Sequence, residues 1–269
     1  MKQFYIFFLT TACLYSLDES PWLGDVYEFA TQTDLSYSHY RYIDQAKEQP
    51  SYTYRSYLTK ETLSFTASEA LAFELEVELA RTPYQLYGFR SSALAARYVL
   101  LDDVAGDFVS LVVGANMRAV GGRSVRDVNS PYSSYLNTEV MTSIGKEFTK
   151  DKEWKTKGYL AGVLGLANHG SAWNRLEMVY EGKISSAQVI QAFMSGYFGY
   201  GPKTQVDINH FEGWGKIAHR SLDIGLQYRY CFSFWGDLGL SYAYRVFAKS
   251  YPQNQQTVQI SYTLPFSLF

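Results

Sequence analysis

Residues 222–233 read LDIGLQYRYCFS, and the fold follows from how these twelve residues alternate. Leu222, Ile224, Leu226, Tyr228, Tyr230 and Phe232 fall on one side of an extended chain. Asp223, Gly225, Gln227, Arg229, Cys231 and Ser233 fall on the other. Only a strand sends successive side chains to opposite faces. A short turn at 234–237 follows, and the rule resumes. Leu238, Leu240, Tyr242, Tyr244 and Val246 oppose Gly239, Ser241, Ala243 and Arg245. In a third copy Val258, Ile260, Tyr262 and Leu264 oppose Thr257, Gln259, Ser261 and Thr263.

The same period runs back toward the N-terminus. Leu71, Phe73, Leu75, Val77 and Leu79 alternate with Ala72, Glu74, Glu76, Glu78 and Ala80. Val109, Leu111, Val113, Ala115 and Met117 alternate with Ser110, Val112, Gly114, Asn116 and Arg118. Leu136, Val140, Ile144 and Phe148 oppose Asn137, Glu139, Met141 and Gly145, and Leu176, Met178 and Tyr180 oppose Arg175, Glu177 and Glu181. Twelve strands are predicted: 34–43, 51–66, 70–81, 88–101, 107–119, 134–149, 155–167, 172–182, 186–199, 215–232, 237–248 and 256–268. The first two are rich in Tyr and alternate poorly.

Composition narrows the class. The 269 residues carry 24 Lys and Arg against 26 Asp and Glu, so no basic excess points to nucleic acid. Aromatic residues make up 17 %, with 24 Tyr and 17 Phe. Tyrosine joins an apolar ring to a polar tip and suits the boundary between hydrocarbon and water. There is no run of about 20 apolar residues, the length a membrane helix needs. Antiparallel strands of about ten residues, apolar outside and polar inside, are the membrane-barrel pattern. The expected fold is therefore all-β: a transmembrane antiparallel up-and-down barrel of about twelve strands. A secreted β-sandwich alternates in the same way, but does not need a Tyr-rich outer face.

Met1-Lys2 followed by an apolar stretch from Phe4 to Leu14 reads as a secretory signal peptide over 1–16. Residues 17–33 are expected to form a periplasmic N-terminal segment or a plug, and 34–269 the barrel. Once the leader and Cys13 are removed, Cys231 is the one cysteine, so the strands hold together without an internal disulfide. An even strand count puts both termini on the periplasmic side. The short connections 67–69, 102–106, 150–154, 183–185 and 233–236 then lie in the periplasm. The long ones, 119–133 and 200–214, lie outside the cell.

The leader, the strand pattern and the terminal Phe269 together resemble bacterial outer-membrane β-barrel proteins, whose last strand ends in Phe. The resemblance implies an outer-membrane location, contact with membrane lipid, and recognition of the C-terminal strand by the barrel-insertion machinery. Pro265 is expected to mark a bulge that brings the odd-numbered Phe269 into parity with Val258 to Leu264. A second, local resemblance lies in 168–175, NHGSAWNR, which is similar to the His-x-Ser and Trp-Asn-Arg motifs of outer-membrane phospholipase A. It implies Ser171 as nucleophile, His169 as base and Asn174 as the group orienting the imidazole. The same residues also suit a simple tight turn.

No cofactor is expected. His210 and His219, with Asp207 or Glu212, match no standard metal spacing, and no metal site is expected. The interior face carries the acids Glu74, Glu76, Glu78, Glu139 and Asp223. It also carries the bases Arg97, Arg118, Arg229 and Arg245, with Asn116 and Gln227 between them. Opposed rows of this kind orient small polar solutes in a passage; they equally fill a closed interior with ion pairs. A narrow channel for small polar or charged solutes, a closed structural or surface-interaction barrel, and a lipid hydrolase are the three functions the sequence leaves open.

Overall fold

A computed structural model describes residues 19–150 and 153–267. The expected signal peptide and Phe269 lie outside the described residues. Twelve strands close a barrel: β1 (Phe29–Tyr40), β3 (Tyr54–Ser68), β4 (Leu71–Arg81), β5 (Gly88–Leu101), β6 (Ser110–Val120), β7 (Leu136–Lys150), β8 (Glu153–Ala167), β9 (Trp173–Ser185), β10 (Gln188–Gly199), β11 (Arg220–Cys231), β12 (Asp237–Lys249) and β14 (Gln256–Phe266). Two short strands, β2 (Tyr42–Ile43) and β13 (Pro252–Gln253), pair outside the barrel.

Each strand is antiparallel to its neighbours in sequence, and β1 closes the ring by pairing with β14 on one side and β3 on the other. Closure leaves no sheet edge, so every backbone ladder is satisfied within the wall. Alternation sets which side chains face out. Leu222 is partly exposed; Ile224, Leu226, Tyr228 and Tyr230 are exposed on the outer face, while Gln227 and Arg229 are buried inside. The outer face carries apolar side chains around the ring, among them Leu75, Leu94, Val140, Leu164 and Ile260.

Most connections at the end holding Phe29 and Phe266 are short, 102–109 being longer; at the opposite end they span 41–53, 82–87, 121–135, 168–172, 200–219 and 250–255. The longer ones do not hang free. Tyr40, Ile43, Tyr54, Val128, Val206, Phe211, Trp214, Ile217 and Tyr251 pack into one aromatic-rich core over this end.

The structure corrects the expected boundaries in three places. The first strand begins at Phe29 rather than 34, because Thr31 and Thr33 continue the ladder with β3 and β14 although neither face is apolar. The tenth barrel strand begins at Arg220 rather than 215: residues 214–216 form a 3₁₀ turn, and Trp214 and Ile217 belong to the loop core. Pro265 makes no bulge toward β1. Its register there runs unbroken from Phe29↔Phe266 through Ala30↔Pro265. Phe29 stacks between Phe65 and Phe266 at this rim.

Leu226→Arg should destabilise the barrel by about 2–4 kcal/mol in a lipid refolding titration, the cost of a cation at mid-depth on a lipid-facing wall. The same change at Leu86, in an exposed connection, should have a much smaller effect.

Candidate functional site

Inside the wall, charges pair across neighbouring strands. Glu74, Glu76 and Glu78 project from alternate positions of β4 and are buried. Each has a cation on an adjacent or next strand. Arg97 Nη2 lies 2.7 Å from Glu74, Arg118 Nη1 2.5 Å from Glu76, and Arg90 Nε 3.7 Å from Glu78. Lys60 from β3 sits 3.9 Å from Glu76 and 3.1 Å from Asp34 of β1. Around the ring, Arg245 grips Asp223 through two bonds of 2.7 and 2.8 Å. Arg229 reaches Glu181 at 3.2 Å, and Asn116 donates to Glu139 at 3.1 Å. Gln227 is buried and donates to Ser261. A buried charge is tolerated when it is paired and hydrogen-bonded, and alternate strand positions at the pleat spacing make such pairing systematic.

Sequence reasoning missed several members of these rows. Asp34 and Lys60 lie on the two strands with weak alternation. Lys157 is buried inside as well, while Arg175, Glu177 and Glu181, read from the sequence on the face opposite Leu176, Met178 and Tyr180, are buried there as that alternation requires. The signal for a cation near Glu74–Glu78 was three consecutive inward acids, which require more positive charge than Arg97 and Arg118 supply.

Two chain segments enter this interior. At the short-turn end, residues 19–23 run inside the wall. Glu19 is ion-paired with Arg175, and the Ser20 carbonyl accepts from Arg97 at 3.0 Å. Trp22 donates its ring N–H to Asp103 at 3.0 Å and packs edge-on to Tyr159. Lys157 lies 4.9 Å from the centre of the Trp22 ring. Gly145 is where this segment presses on β7. A Cβ there would stand 2.6 Å from Pro21 and 2.9 Å from Trp22, so a side chain would expel them. From the other end the 121–135 connection dips in. Its Tyr132 hydroxyl bonds Glu78 and lies 3.1 Å from Ser91.

Beside the 121–135 connection is a cavity of about 50 Å³ lined by Asn137, Glu139, Trp173, Arg175, Tyr197 and Arg245, among others. That is room for a few water molecules. A smaller void of about 10 Å³ lies beyond it and shares Glu139 and Arg175, with Glu19 in its own lining. Trp173 lies flat against the wall because its neighbour on β8 is Gly165: a Cβ there would fall 2.1 Å from the indole.

The phospholipase-like residues are not brought together. His169 is exposed in the turn, Ser171 spends its backbone N–H on the Gly215 carbonyl at 2.7 Å, and Asn174 shares the outward parity of Leu176. Among the described residues no hydrogen bond joins the three. The histidines of the second cluster also separate. His210 is exposed beside Asp207 at 3.5 Å. His219 is fully buried, stacked on Tyr251, with Nδ1 2.9 Å from the Ile217 carbonyl. Asp207 instead pairs with Lys47, and Glu212 with Lys216.

Burial among aromatic rings, with the nearby Arg245 charge adding to it, pushes the His219 pKa down to about 4. The opened loop core would take up a proton near the ordinary value of about 6.5. The native state therefore binds fewer protons between these values, and the stability of the loop core is lost as pH falls from about 6.5 to about 4. Indole emission attributable to Trp214, obtained by difference from Trp214→Phe, should shift to the red across that window, and His219→Gln should abolish the shift. Lys60→Met should cost about 3–5 kcal/mol in a denaturant titration, because Asp34 loses its cation and Glu76 one of two.

No protein-family model matches this sequence, and no curated protein matches it. Solved structures do. The COG4313 outer membrane channel from Pseudomonas putida F1 is 10 % identical, over 94 % of this chain and 100 % of that one, with a TM-score of 0.66. The NanC porin is 10 % identical over 86 % and 98 %, with a TM-score of 0.55. The KdgM porin in complex with disordered oligogalacturonate is 10 % identical over 87 % and 99 %, with a TM-score of 0.51. At such identities the likeness is one of fold: this chain has the fold of bacterial outer-membrane β-barrels.

Proposed function

We propose that the protein is a narrow, gated channel of the bacterial outer membrane, carrying small polar or charged solutes. The observation that carries this reading is the division of the interior. Charged residues line much of the inner wall, and among the described residues both the 121–135 connection and residues 19–23 enter the interior, beside cavities of about 50 and 10 Å³. A barrel that served only as a scaffold could fill its interior with wall side chains alone, as small barrels do. Here the occupants are separate chain segments rather than wall side chains, and the shorter of them, residues 19–23, is held by Glu19–Arg175, Arg97–Ser20, Trp22–Asp103 and the packing of Trp22 on Tyr159. The channels and porins among the similar folds are consistent with this role.

Opposed acids and bases on the wall orient a dipolar solute and compensate the water it sheds. The paired state of those charges sets no strong preference for cations or anions in bulk. Exposed apolar side chains on the outer wall, with stacked Phe29, Phe65 and Phe266 at one rim, fit contact with lipid. By this reading the long connections face outward from the cell, and the C-terminal strand is what the insertion machinery receives.

Planar-bilayer recording tests the reading. The full chain should give brief, small conductance steps. A variant lacking residues 19–23 should give larger and longer ones. A silent bilayer with both proteins would remove the channel and leave the closed surface barrel.

A further inference from the structure

The cavity beside the 121–135 connection has hydrogen-bonding capacity that nothing among the described residues uses. Trp173 and Arg175 stand at alternate positions of β9, on the same inward face and about 7 Å apart along the strand. The Trp173 ring N–H is buried and has no partner. Arg175 spends Nε and Nη2 on Glu19, and its Nη1 makes no hydrogen bond. Two donors therefore face the cavity from one strand. Beyond β8 on the same wall, at alternate positions of β7 and also lining the cavity, are two acceptors. Asn137 Oδ1 is buried and unpartnered, its amide nitrogen being spent on the Ser134 carbonyl. Glu139 receives Asn116 on one oxygen only. Unpaired buried polar groups are costly, and native proteins leave few of them without a reason.

The structure itself shows what Arg175 holds: the Glu19 carboxylate, delivered from the other side by the N-terminal segment. Glu19 and Glu139 both lie close to Arg175, so two carboxylates share one guanidinium. We infer that the cavity is a binding site for a small carboxylate bearing an adjacent ammonium or hydroxyl donor, and that this solute competes with Glu19 for Arg175. The solute's carboxylate takes Arg175 and the Trp173 N–H. Its donor faces Glu139 and Asn137. Loss of Glu19 from Arg175 frees the N-terminal segment at its charged end and joins the two voids, so binding and opening are coupled through one side chain. A differential contact of this kind is what a ligand needs to shift a conformational equilibrium. The free volume limits the solute to a few heavy atoms.

This inference deepens the channel reading and rests on it, but its test does not require conduction. Calorimetric titration of the full chain in detergent, with glycine, glycolate, acetate and glycerol as probes, is expected to show binding of glycine and glycolate. Acetate should bind more weakly and glycerol not at all. A preference for glycine over glycolate, or the reverse, identifies the donor and supports the site either way. Arg175→Gln should weaken binding about tenfold or more, the usual weight of a charge-assisted hydrogen bond. Arg175→Lys should restore part of it, and Trp173→Phe should weaken it several-fold, with an unchanged strand spectrum in each variant. Glu19→Gln should tighten binding, because the competing charge is gone. Glycerol binding as well as glycine, or weaker binding in Glu19→Gln, would overturn the site. Absence of any binding in a protein that conducts ions would also overturn it while leaving the channel reading standing. Binding without conduction would keep the site and remove the passage.

Discussion

A backbone amide in hydrocarbon has no water to turn to, and the architecture follows from that constraint. The ring of ladders meets it only because β1 pairs with both β3 and β14; one unpaired strand would leave a row of N–H and C=O groups bare along the wall. Closure then fixes the alternation, since a strand that is paired on both sides can offer lipid only every second side chain. The Leu, Ile and Tyr at 222, 224, 226, 228 and 230 in β11 follow from this, as do Asp223, Gln227 and Arg229 behind them. A one-residue slip of register would put those charges into lipid, which is why the pattern holds so firmly in this strand.

The interior obeys a second rule. Charges there are affordable where a partner stands on a neighbouring strand at matching height, and the Glu74–Glu76–Glu78 row finds such partners on β3, β5 and β6. The segments that enter from the two ends use the same chemistry: Glu19 answers Arg175, and the Tyr132 hydroxyl answers Glu78. Trp22 anchors residues 19–23 against Tyr159, and Val125 and Val128 anchor the 121–135 connection in apolar clusters.

Much of this was legible in the sequence, for a physical reason. Period-two alternation is a local property of a wall with oil on one side, so β4, β6, β11, β12 and β14 could be read from their own residues. β1 and β3 were harder because Ser, Thr and Tyr occupy both faces, and the inward pair of Asp34 with Lys60 leaves no amphipathic trace. Nor could Glu19 and Arg175, 156 residues apart, be paired by any periodicity. The start of the strand at 215 was misplaced for a different reason. Ile217 and His219 continue the parity of a strand, but their side chains serve the aromatic loop core. The Gly-Trp-Gly at 213–215 was the available sign of a turn.

The account stands or falls on the two faces of the wall. Its most direct test is a nitroxide scan through residues 222–230 in a Cys231→Ser background reconstituted in lipid, comparing collisions with oxygen and with a water-soluble nickel chelate. The account predicts high oxygen accessibility at 222, 224, 226, 228 and 230 and low values at the residues between them. A profile without that two-residue period, or with a helical one, would contradict it.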